Sequence, residues 1–63
     1  STHEERQARI DAALTDARSV LADIPHHSDK RILTACHVLE TYGGMPERHR
    51  AYDIRQMIER TGS

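Results

Sequence analysis

Tryptophan and phenylalanine are absent from this 63-residue sequence, and its two tyrosines have to serve wherever a large ring is needed. The core must therefore come from aliphatic side chains of modest size: Ile10, Leu14, Val20, Leu21, Ile24, Ile32, Leu33, Val38, Leu39, Met45, Ile54, Met57 and Ile58. A chain this short sits near the size at which one core only just offsets the entropy of ordering it. The single cysteine, Cys36, excludes an internal disulfide. The remaining ways to reinforce so small a fold are oligomerisation, regular helix packing and a bound metal, and they are favoured in that order.

An excess of charge of either sign is also missing. Nine basic residues against ten acidic ones leave a formal net charge of −1, which removes the general drive toward nucleic acid or an anionic membrane and leaves room only for a local patch. No apolar run approaches the ~20 residues of a membrane helix, and the stretch THEERQAR has the wrong chemistry for a signal peptide. The expectation is a single helical domain over residues 1–63, working in a reducing cytoplasm without contact to a membrane. There is no internal repeat, low-complexity tract or linker.

What is present is helical periodicity. Ile10, Leu14, Ala17, Leu21 and Ile24 step by four and three along one face, with Ala13 and Val20 widening it. Thr2 followed three positions later by Glu5 fits a capping box, and Ile24-Pro25 is a stop because a residue before proline disfavours helical geometry. A long first helix over about 3–23 follows. Ser28 is suited to cap a second helix over about 29–42, with Asp29 at the positive end of its dipole. Ile32, Ala35, Cys36, Leu39 and Tyr42 line its inner face, while Leu33 and Val38 flank it. So wide an arc predicts burial on two sides, which assigns Leu33, Val38 and Tyr42 to an oligomer interface.

Gly43-Gly44 ends the second helix, the first glycine being suited to a left-handed terminating position. Pro46 fits the first position of a third helix over about 46–60, whose inner face carries Ala51, Ile54, Met57 and Ile58. Short connections favour neighbours packed roughly antiparallel. The fold class is all-α: a small three-helix bundle, or a helical hairpin with a long first helix, completed by oligomerisation.

The stretch HHSDKRILTACH, residues 26–37, raises the question of a metal or a nucleophile. Zinc needs three or four ligands converging within ~2.0–2.3 Å of one point. Cys36 lies in the apolar arc of its helix, His37 points about 100° away, and ten helical residues put ~15 Å between His27 and His37. These groups diverge. Cys36 reads as a small buried apolar residue, since a reactive thiol needs exposure and a charged neighbour. His26 and His27 read as loop residues. Gly43-Gly44 lacks the Lys-Ser/Thr and the preceding strand of a phosphate loop, and there is no carboxylate pair or nucleophile elbow. Catalytic, cofactor and metal sites are therefore not expected.

The third helix carries the strongest functional signal. Opposite Ile54 lie Arg48, Tyr52, Arg55, Gln56 and Glu59, with His49 at the margin, so that Tyr52 stands outside the core stripe and is framed by Arg48, Arg55 and Gln56. Tyrosine and arginine are enriched at interface hot spots. The favoured function is a non-enzymatic protein–protein interaction module, an adaptor, regulator or inhibitor of a larger assembly, homodimeric and bound to its partner through Arg48, Tyr52, Arg55 and Gln56. Phage and plasmid accessory proteins supply the analogy for this last step. A dimeric DNA-binding regulator comes second, because the GGMP turn followed by a helix with Arg48, Tyr52 and Gln56 passes for a helix-turn-helix, although Glu47, Asp53 and Glu59 dilute its charge. An oligomer holding a small anionic ligand through Arg48, Arg50 or Arg55 comes third.

Overall fold

A computed structural model describes residues 2–61. Three α-helices follow one another, α1 (Thr2–Ala22), α2 (Asp29–Tyr42) and α3 (Met45–Thr61), with one 3₁₀ turn at Ile24–His26 between the first two. The all-α class and the three helices agree with the periodicity of the sequence. Several local expectations do not hold.

Thr2 is already inside α1 and so is not its cap. α1 stops at Ala22, and the chain does not pass straight into a loop at Ile24-Pro25. Asp23 turns to φ −139°, ψ 48°, after which Pro25 is accommodated in the single 3₁₀ turn, where its missing N–H costs nothing. His26 belongs to that turn, and its Nδ1 lies 2.6 Å from Asp23 Oδ1. The cap of α2 is as read: Ser28 Oγ accepts from the Arg31 N–H at 3.3 Å.

At the other end of α2, Gly43 is not left-handed. It is extended, at φ −78° and ψ 166°, and its N–H donates to the Leu39 carbonyl at 2.9 Å. The reason for glycine here is space. A Cβ would stand 2.6 Å from the Leu39 oxygen and 3.3 Å from Glu47 Cβ. Gly44 precedes α3, its carbonyl taking the Arg48 N–H at 2.9 Å, so Met45 opens the helix and Pro46 is its second residue.

The core consists of Ala17, Val20, Leu21, Ile32, Ala35, Cys36, Leu39, Ala51 and Ile54, with Leu14, Ile24, Val38 and Ile58 packed against it. Three alanines and a cysteine among nine buried residues allow the helices to approach closely, but contribute little transfer energy beside the ~1.5–3 kcal/mol of a buried Leu or Ile. Ile10, Tyr42 and Met57, all assigned to apolar faces, stand outside this core, Tyr42 being 52% exposed and Met57 56%.

α2 and α3 pack against each other, joined by the tight Gly43-Gly44 connection and by Arg55 of α3, which donates to Glu40 of α2. The first helix packs on α2 and reaches α3 through side chains. From a single turn of α1, Asp16 accepts from Arg31 at the start of α2 at 3.2 Å, while Arg18 donates to Glu47 at the start of α3 at 2.6 and 3.0 Å. The middle of α1 is thus tied to the starts of both other helices. Arg50 of α3 donates to the Leu21 carbonyl at 3.4 Å, supplying the cation that the last turn of α1 lacks. Residues 2–9 are exposed throughout, so the charged start of α1 is left uncovered by the rest of the chain. No helix among the described residues is long and apolar enough to cross a membrane.

Candidate partner-binding face on the third helix

The side of α3 turned away from Ala51 and Ile54 is set by the 100° step of the helix. Met45, His49, Tyr52 and Gln56, spaced by four, three and four, form one line along it. Arg48, Arg55 and Glu59 flank this line on one side and Asp53, Met57 and Arg60 on the other. Met45 is 62% exposed and Tyr52 49%, whereas Arg55 and Gln56 are half-buried.

Arg55 is the fixed point of the face. Its Nε and Nη2 donate to the two oxygens of Glu40 at 2.8 and 3.1 Å, and Nη1 donates to Glu59 Oε1 at 3.1 Å. Its hydrogen bonds to the Glu40 carboxylate hold the guanidinium firmly protonated, its pKa raised above the ordinary value. Its carbon lies 5.3 Å from the centre of the Tyr52 ring, a cation–π contact. Arg55 is thus occupied within the chain and acts as a support for Tyr52. Arg48, by contrast, makes no ion pair among the described residues.

Tyr52 forms a ridge between two shallow grooves. One is lined by Glu40, Met45, Arg48, His49, Tyr52 and Asp53. The other is lined by Tyr52, Asp53, Gln56, Met57, Arg60 and Thr61. The four residues read from the sequence as partner-binding, Arg48, Tyr52, Arg55 and Gln56, do share this surface. Sequence reasoning missed Met45, Met57 and Asp53, which complete the groove walls, and Glu40, which fixes Arg55. Nothing local could reveal Glu40, because it is fifteen residues away and on another helix.

The three α2 residues assigned to an oligomer interface are less alike than their spacing suggests. Val38 packs against the core and Leu33 is half-buried, so Tyr42 is the one that stays largely open. Cys36 has no exposed surface, and burial pushes its thiol up, away from the reactive thiolate. Among the described residues no three His, Cys, Asp or Glu side chains gather to hold a metal ion. Compared with protein-family models, with curated proteins and with solved structures, the chain matches none.

Proposed function

We propose that the protein is a small non-enzymatic protein–protein interaction module that acts by occupying a surface of a larger assembly, with the outer face of α3 as its binding surface and Tyr52 at the centre. The observation that carries this reading is the half-exposed Tyr52 ring held against an arginine that is itself forked onto Glu40 and tied to Glu59. An aromatic fixed before the partner arrives loses little rotamer freedom on binding, which costs ~0.5–1.5 kcal/mol for each mobile side chain that must be immobilised. Met45 and Met57 add adaptable apolar surface on either side.

Phosphate recognition by this face is disfavoured by its charge. Arg55 is committed to the carboxylates of Glu40 and Glu59, and Asp53 adds a further negative charge on the other flank of the face. A protein surface with both signs of charge and an apolar centre suits the face better. The experiment is capture of partners from host extract with the wild-type chain and with Tyr52→Ala as baits. Truncating a surface residue changes stability by less than about 0.5 kcal/mol, whereas a hot-spot tyrosine costs ~2 kcal/mol or more of binding. The variant should keep its helical signal and lose the partner. Equal capture by both baits refutes the assignment, and binding of duplex DNA that falls steeply and log-linearly with salt would replace it by the regulator reading.

A further inference from the structure

Resting on that reading of α3, we infer that one occupant of the face is a second copy of this chain, with the two α3 helices antiparallel across a two-fold axis at the level between Asp53 and Ile54. Charge order along the helix carries the argument. Arg48 and Glu59 are three turns apart and within about 20° of each other around the axis, so they lie on the same flank. They also stand about 8 Å to either side of the proposed axis, at ~1.5 Å per residue. A two-fold rotation therefore sets each Arg48 opposite the Glu59 of the second copy, twice over, as an isologous contact requires.

Both groups are available. Arg48 has no ionic partner among the described residues, and Glu59, 53% exposed, spends only Oε1 on Arg55. A surface of one sign, such as a phosphate backbone, meets Arg48 but opposes Glu59 and Asp53. The face fits itself better.

The same rotation brings Tyr52 beside the Tyr52 of the second copy, offset along the helices by about 4.5 Å. This offset suits displaced stacking of two rings. Each ridge then meets the groove on the other molecule's α3, since one groove runs toward Met45 and the other toward Thr61. The contact is short. A helix of 17 residues is ~25 Å long, and a strip of that length falls below the ~800 Å² per partner of a standard interface. The pairing is therefore dissociable and dependent on concentration. On the flank opposite Arg48 the register sets Asp53 close to the Asp53 of the second copy, a like-charge contact at the rim that opposes pairing.

Sedimentation equilibrium from about 1 µM to about 1 mM tests this, with circular dichroism on every variant to verify helix content. The wild type should shift from monomer to dimer within that range. Tyr52→Ala should weaken the dimer by about thirtyfold or more. Arg48→Glu and Glu59→Arg should each weaken it, their combination should restore it to near the wild-type value, and Asp53→Asn should tighten it. A double variant as weak as the two single ones overturns the register. A wild type that stays at 7.2 kDa throughout overturns the self-pairing. In that second case the interaction reading survives if Tyr52→Ala still loses a captured partner, and it falls with the self-pairing if Tyr52→Ala loses nothing.

Discussion

The two adjacent glycines between α2 and α3 should respond to substitution with opposite signs. Gly43 is extended rather than left-handed, so an alanine there meets no backbone penalty, yet its Cβ would stand 2.6 Å from the Leu39 carbonyl oxygen. That oxygen accepts the Gly43 N–H, so the clash cannot be relieved without lengthening the hydrogen bond that ends α2. Overpacking of this kind costs ~1–3 kcal/mol. The loss of unfolded-chain freedom on replacing glycine returns ~0.4–1 kcal/mol. Gly43→Ala should therefore destabilise by about 1–2 kcal/mol, a large share of the ~3–9 kcal/mol expected of a domain this size.

Gly44 has nothing within 4 Å of a built Cβ, does not have positive φ, and occupies the capping position of α3. Gly44→Ser adds a capping hydroxyl and stiffens the unfolded chain, for a gain of about 0.5–1 kcal/mol. At ~4–8 °C per kcal/mol for a domain of this size, thermal melts followed by circular dichroism should separate the two variants by roughly 6–24 °C. A Gly43→Ala protein melting at or above the wild type would refute the close-approach argument. Gly44→Ser melting below it would refute the cap.

Two further outcomes follow from the electrostatics and the core. The Arg18 hydrogen bonds hold the Glu47 carboxyl below the usual carboxylate range, so the contribution of Glu47 to stability is present above that range and is lost as pH falls through its folded value. The gap in melting temperature between wild type and Glu47→Gln should be widest near neutrality, close in acid below the usual carboxylate range, and shrink with added salt because both partners are partly exposed. A gap that widens in acid would contradict the assignment. Cys36, with no exposed surface and its thiol pushed up, should be alkylated about a hundredfold or more slowly than a free thiol and at a rate that follows unfolding. Reaction at the free-thiol rate would mean that the core is open at Cys36.

Helix positions were legible in the sequence because they depend on neighbours three and four residues away. The stepping of Ile10, Leu14, Ala17 and Leu21, the Ser28 cap and the Gly43-Gly44 stop each act within one or two turns, and the helices begin and end close to where these signals put them. The same periodicity fixes which way a side chain points around its own axis, which is why Tyr52 was separated from Ile54 and found on the outer face. It says nothing of how one axis lies against another. Only the tertiary structure decided that α1 meets α3, through Arg18 with Glu47 and Arg50 with Leu21, pairs that are each 29 residues apart. The packing of the helices also decided coverage. Tyr42 and Met57 sit within the apolar arcs of their helices, yet no neighbouring helix covers them, and they remain more than half exposed. Arg55 looked like a free cation beside a tyrosine until Glu40, on the facing helix, turned it into the support that holds the ring. Local spacing sets the angle of each residue on its helix, and only packing between helices sets what that residue meets there.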